Sequence, residues 1–96
     1  MTGRILTEVI ATVDSDKAPG VRAAFQMLLS KPLPDGLLRS ELLEGPEGVW
    51  RIQSLWRDQA ALDAMRAGPE PPAAPALFRK FGADPTLTVL SVREGT

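Results

Sequence analysis

The sequence has no cysteine, histidine, tyrosine or asparagine in 96 residues. Each absence removes a class of chemistry. Without cysteine there is no disulfide, no thiolate nucleophile and no cysteine-rich zinc site. Without histidine the Ser–His and Cys–His nucleophilic pairs are excluded, and no His, Cys or Tyr remains to ligate haem iron. No side chain has an ordinary pKa near neutrality. Any proton transfer therefore falls to a shifted carboxylate, a shifted lysine or the substrate itself. An excess of charge is missing too: 11 Lys and Arg against 12 Asp and Glu leave a net charge of −1, with the basic residues scattered. That balance offers no general attraction to nucleic acid or to an anionic membrane. The apolar runs are too short to span a bilayer. Residues 1–13 hold one basic residue and are interrupted by Glu8, so they make a poor signal peptide. A cytoplasmic location is the expectation, and the lack of cysteine agrees with it.

What is present is ordinary for a globular chain: 44% apolar and 24% charged residues. The length allows one domain, residues 1–96, with no room for a second core. A domain of this size buries only about two-thirds of the surface its unfolded chain exposes. Its own core leaves a thin margin of stability, and with disulfides excluded, association with a second copy is the natural remedy.

Along the chain, Ile5 to Val13 is rich in β-branched residues and reads as a strand. Its apolar residues fall on both parities, which implies that both faces are at least partly covered. Asp14 to Lys17 supplies turn and cap residues, and Pro19 suits a first helical turn. Val21, Ala24, Phe25, Leu28 and Leu29 then recur at helical spacing, placing one apolar stripe on an amphipathic helix that Pro32 and Pro34 end. Asp35-Gly36 is a turn. Leu37 to Glu44 and Val49 to Trp56 read as a β-hairpin around a loop of about five residues. Trp50, Ile52, Ser54 and Trp56 share one face of the second hairpin strand, with Arg51 and Gln53 on the other. Asp58 stands at the expected N-cap of a helix over Gln59 to Ala67, stopped by Gly68-Pro69. Glu70 to Pro75 is expected to be irregular or polyproline-like. Ala76 to Phe78, with Phe81, suggests one more helical piece, and Leu87 to Val92 is the last strand. The sequence shows no internal repeat. The order strand, helix, strand, strand, helix, strand predicts an α+β, ferredoxin-like βαββαβ fold with a four-stranded antiparallel sheet and helices on one face. A second copy's sheet is the economical cover for the other face; an isolated sheet with scattered exposed apolar residues is the alternative.

The run Ser54-Leu55-Trp56-Arg57-Asp58-Gln59-Ala60-Ala61-Leu62 resembles the strand-to-helix signature of the antibiotic biosynthesis monooxygenase domain family, with a Trp ending the third strand and a capping residue two positions later. Pro34-Asp35-Gly36-Leu37 is similar to that family's entry to the second strand, and the element order extends the resemblance over nearly the whole chain. The resemblance implies a homodimeric α+β barrel with a pocket between sheet and helices in each subunit. It also implies oxygenation of an activated aromatic polyketide or quinol without flavin, metal or other cofactor, the protein supplying shape, desolvation and stabilisation of the substrate anion. Two of the family's polar groups have no counterpart: the helix position nine residues after Trp56, His in many members, is Met65, and the Asn that partners the Trp is missing. The family's haem-degrading branch, which needs a proximal His, is excluded on the same ground.

The candidate site residues follow. Trp56 is the candidate catalytic residue: it can stack on a flat aromatic substrate and donate its indole N–H, or it can simply anchor the strand-to-helix turn. Candidate substrate-binding residues are Trp50, Gln53, Phe25, Met65 and Phe78. The two Phe and Met65, with Met27 and Phe81, suit either a cavity wall or plain core. Arg39, Glu41, Arg51 and Gln53 share a face across the hairpin, as anion stabilisers or as an interface and surface ion-pair cluster. Glu8, inside an apolar strand, is a candidate base if buried without a partner Arg. Against the oxygenase stands a non-catalytic binder of small hydrophobic molecules or a structural homodimer. Nucleic-acid binding is disfavoured, because the strands lack the aromatic pattern of RNA-binding sheets.

Overall fold

Residues 3–95 are described by a computed structural model. In chain order the elements are β1 (Ile5–Thr12), α1 (Ala18–Leu29), β2 (Leu37–Glu44), β3 (Val49–Trp56), α2 (Gln59–Arg66), α3 (Ala73–Lys80) and β4 (Thr86–Ser91). The strands form one sheet in the order β2-β3-β1-β4, every neighbouring pair antiparallel. This is the ferredoxin-like arrangement, with β1 and β3 in the centre and all helices on one face.

Parity decides what each strand buries. Ile5, Thr7, Val9 and Ala11 of β1 are all buried, and their register partners on β3 are Trp56, Ser54, Ile52 and Trp50. These side chains face the helices, and the apolar ones fall into two clusters. The larger joins Val9, Trp50 and Ile52 to Val21 and Phe25 of α1 and to Phe78 of α3. The smaller joins Ile5 and Trp56 to Ala61 and Leu62 of α2. Each such side chain contributes on the order of 1.5–3 kcal/mol by leaving water.

The opposite parity carries Leu6, Glu8 and Ile10 of β1 with Leu55, Gln53 and Arg51 of β3. Among the described residues no helix covers this outer face, and most of it is half-buried, with Leu43 of β2 and Leu90 of β4 exposed. Every residue of the edge strand β4 is exposed.

Several expected bounds shift: β1 ends at Thr12 rather than Val13, and β4 spans Thr86–Ser91 rather than Leu87–Val92. Residues 70–75 do not stay irregular throughout: α3 begins at Ala73, with Pro72 at its N-cap and Pro75 inside its first turn. The first turn's N–H groups have no intrahelical acceptor, so a proline there loses no hydrogen bond. Helix 59–66 also stops one residue short of Ala67, which serves as its C-cap.

Candidate ligand-binding cavity

The row Thr7–Ser54–Ser40 crosses β1, β3 and β2 in direct register on the helix-facing side. Its neighbours in the same face are large: Val9, Ile52 and Leu42 on one side, Ile5, Trp56 and Leu37 on the other. Three small side chains between two rows of large ones leave a gap that the helices bridge but do not fill. The result is a cavity of about 290 Å³ between the two core clusters. Phe25 and Leu28 of α1, Leu62 and Met65 of α2, and Pro72 and Pro75 at the N-terminal end of α3 enclose it from the helix side.

Local folding holds this geometry in place. Asp58 caps α2, its Oδ1 accepting the Ala61 N–H at 2.8 Å, so the helix carrying Leu62 and Met65 starts immediately after the strand carrying Trp56. Gly36, with φ of 83°, turns the chain into β2; a side chain there would run into the Ala61 methyl. Its carbonyl accepts the Arg57 N–H at 2.7 Å, tying the start of β2 to the end of β3.

The floor of the cavity is polar. The Trp56 indole N–H donates to Thr7 Oγ1 at 3.2 Å, and Thr7 Oγ1 donates to the Ser54 carbonyl at 3.4 Å. Ser40 Oγ and Ser54 Oγ lie 2.9 Å apart. Two hydroxyls sharing one hydrogen bond use one of their two protons on each other. The second proton is free to point at a ligand oxygen. Trp56, only 4% exposed and with its N–H engaged by Thr7, presents an apolar ring to the cavity. The charged residues that line it are Lys31, Arg66 and Glu70, all exposed. Among the described residues no group of three or more acidic, His or Cys side chains is placed to hold a metal ion.

The structure brings together Trp56, Phe25 and Met65, which all line the cavity. Trp50 and Phe78 are elsewhere, at 3% and 0% exposure within the larger core cluster. Gln53 lies on the other face of the sheet, where its side-chain N–H donates to Glu8 Oε2 at 2.9 Å. Glu8 also faces Arg51 of the same chain at 3.6 Å, so it is partnered rather than isolated. Arg39 and Glu41 pair at 3.6 Å on that same outer face, both well exposed. Met27 projects from α1, 64% exposed, and Phe81 packs against the larger core cluster. Sequence reasoning placed Ser54 on the face of Trp50 and Trp56 but named none of Thr7, Ser40 and Ser54 as site residues. A signal for them exists: hydroxyl side chains on the inward parity of adjacent strands that are otherwise apolar on that face.

Neither a protein-family model nor a curated protein matches the sequence. Solved structures do match by shape. A Caulobacter crescentus protein provisionally described as an antibiotic biosynthesis monooxygenase aligns with a TM-score of 0.76 and 23% identity, over 97% of this chain and 92% of that one. A Deinococcus radiodurans protein of the same provisional description aligns with a TM-score of 0.75 and 17% identity, over 96% and 95% of the two chains. A point variant of SnoaB from Streptomyces nogalater, described as a cofactor-independent oxygenase, aligns with a TM-score of 0.71 and 19% identity, over 97% and 96%. The chain has the fold of the antibiotic biosynthesis monooxygenase structures. At these identities the likeness is one of fold, and function rests on the cavity.

Proposed function

We propose that this protein is a cofactor-independent monooxygenase that oxidises an activated aromatic substrate, such as an anthrone or a hydroquinone, inside the cavity. The observation that carries the reading is the combination of an apolar cavity of about 290 Å³ with a hydroxyl pair on its floor. That volume is at the low end of the roughly 300–1,000 Å³ of small-molecule sites, which suits a compact fused-ring ligand. The described function of SnoaB, a protein of the same fold, supports the class of reaction.

For an anthrone the balance is simple. The ring CH2 becomes C=O, one atom of O2 ends in that ketone and the other in water, and the substrate supplies every electron. The deprotonated substrate passes an electron to O2, and the two radicals recombine to a peroxide that loses water. The free Ser40 or Ser54 proton stabilises the developing oxyanion. The Trp56 ring and the aliphatic walls orient the flat substrate and exclude water. The protein acts as a homodimer with outer sheet faces packed together, in the cytoplasm.

A second reading is a non-catalytic binder of small hydrophobic molecules. It is favoured by the exposure of every charged side chain that lines the cavity, which leaves none buried against a ligand, and by the engagement of the Trp56 N–H with Thr7. Oxygen uptake by metal-free protein with anthrones and hydroquinones separates the two. An oxygenase raises uptake above the spontaneous rate, and Ser54→Ala and Trp56→Phe, checked for fold by circular dichroism, lower it. Saturable binding with uptake at the spontaneous rate would instead establish the binder.

A further inference from the structure

The charge at the cavity has a direction. The floor carries hydroxyls, the walls are apolar, and the charged groups stand at the exposed rim: Lys31, just past the end of α1, Arg66, the last residue of α2, and Glu70. The ion pairs among the described residues lie elsewhere, at Arg39–Glu41, Arg51–Glu8 and Arg57–Asp58. Lys31 and Arg66 take part in none of these, so the cavity lining carries two cations outside any ion pair and one carboxylate, an excess of one positive charge. A ligand entering between them meets a cationic rim first and a hydrogen-bonding floor last.

We propose that Lys31 and Arg66 form an anion-recognition pair at the cavity mouth, selecting flat aromatic ligands that carry one acidic group. The inference rests on the cavity being the aromatic-ligand site. Moving an ionised carboxylate into the apolar interior without a partner is strongly unfavourable. The acid therefore stays at the rim, partly hydrated and beside the two cations, while the ring system fills the interior. This fixes orientation: the end of the ligand remote from its acid is delivered to the Ser40–Ser54 hydroxyls. Glu70 repels a second negative charge, so monoanions are preferred over dianions. For the proposed reaction, the atom to be oxidised is the one remote from the acid.

The test is fluorescence titration of the whole protein with a naphthoate and the naphthamide of the same substitution, which differ in charge and little in shape. The carboxylate binds more tightly at low salt, by about fivefold for each exposed cation it meets. That preference collapses on the order of 1 M salt, where screening acts within a few ångströms. Lys31→Met and Arg66→Met each reduce the carboxylate-to-amide preference by about fivefold, and Glu70→Gln increases it. All three positions are exposed, and thermal melts of the variants verify the fold. Equal affinity for the two probes, or an unchanged preference in both cation variants, overturns the anion-recognition pair while leaving the cavity reading intact. Binding of neither probe removes both.

Discussion

Thr7 is 7% exposed and holds a single position at which two demands meet. It must be small enough to leave the cavity open, and it must accept the Trp56 N–H, which otherwise has no acceptor in a buried setting. Valine satisfies the first demand and not the second. Thr7→Val gains a little apolar burial but orphans a buried donor, and the orphaned donor wins, for a net loss of about 1–3 kcal/mol. Urea denaturation should show a lower midpoint at unchanged slope. The cause is checked in the Trp56→Phe background, where no N–H remains to be orphaned and Thr7→Val should cost little. An equal loss in both backgrounds would assign the effect to packing alone. The residue scale is also where sequence reading reached least far. Trp56 and Met65 were visible at and after the strand-to-helix turn, and Phe25 on the apolar stripe of α1. Thr7, Ser40 and Ser54 were not, because a cavity is made by what three strands jointly leave out, and register is needed to see that their small side chains form one row. Gln53 illustrates the converse: its parity, opposite to that of the tryptophans, already placed it away from the helices, where it pairs with Glu8.

At the scale of the element, α2 is short, and its stability depends on its first turn. Asp58 is its only side-chain cap, and Ala61 and Leu62 are its buried residues. Asp58→Ala removes the bond to the Ala61 N–H and should cost about 1 kcal/mol. For a domain of this size that lowers the melting temperature by roughly 4–8 °C. Because α2 carries Leu62 and Met65 over the cavity, ligand affinity should fall with it; a lower melting temperature at unchanged affinity would show that α2 is not what shapes the site. This cap was legible in the sequence, as were β2 and β3 to the residue, since period-two patterns bounded by Gly and Pro leave little freedom. The Pro-rich stretch was not. Proline reads as a helix breaker, yet Pro75 is compatible with the turn it occupies because that turn has no intrahelical bond for it to break.

On the scale of the whole molecule, the sheet is covered on one face only, and a 96-residue chain has little stability in reserve. The uncovered face is not an ordinary wet surface. Leu6 sits between Leu55 and Leu90, Ile10 lies between Arg51 and Thr86 at the other end of the strand, and the Glu8 side chain partners Gln53 and Arg51 across β1 and β3. Apolar side chains flanking a charge-balanced polar cluster form a surface that can meet its own copy without unpaired like charges, as a two-fold interface requires. Sedimentation of the purified protein at micromolar concentration should therefore give a dimer. Ile10→Lys, at a half-buried position in the middle of that face, is the discriminating variant. In a monomer a lysine there extends into water along the sheet and changes stability little. In a dimer it places a charge against the partner's apolar surface, so the variant should sediment as a monomer and melt at a lower temperature that no longer rises with protein concentration. Wild-type protein that is monomeric, with Ile10→Lys as stable as the parent, would leave the outer face as solvent-exposed sheet and assign the whole of the fold's stability to the two clusters beneath the helices.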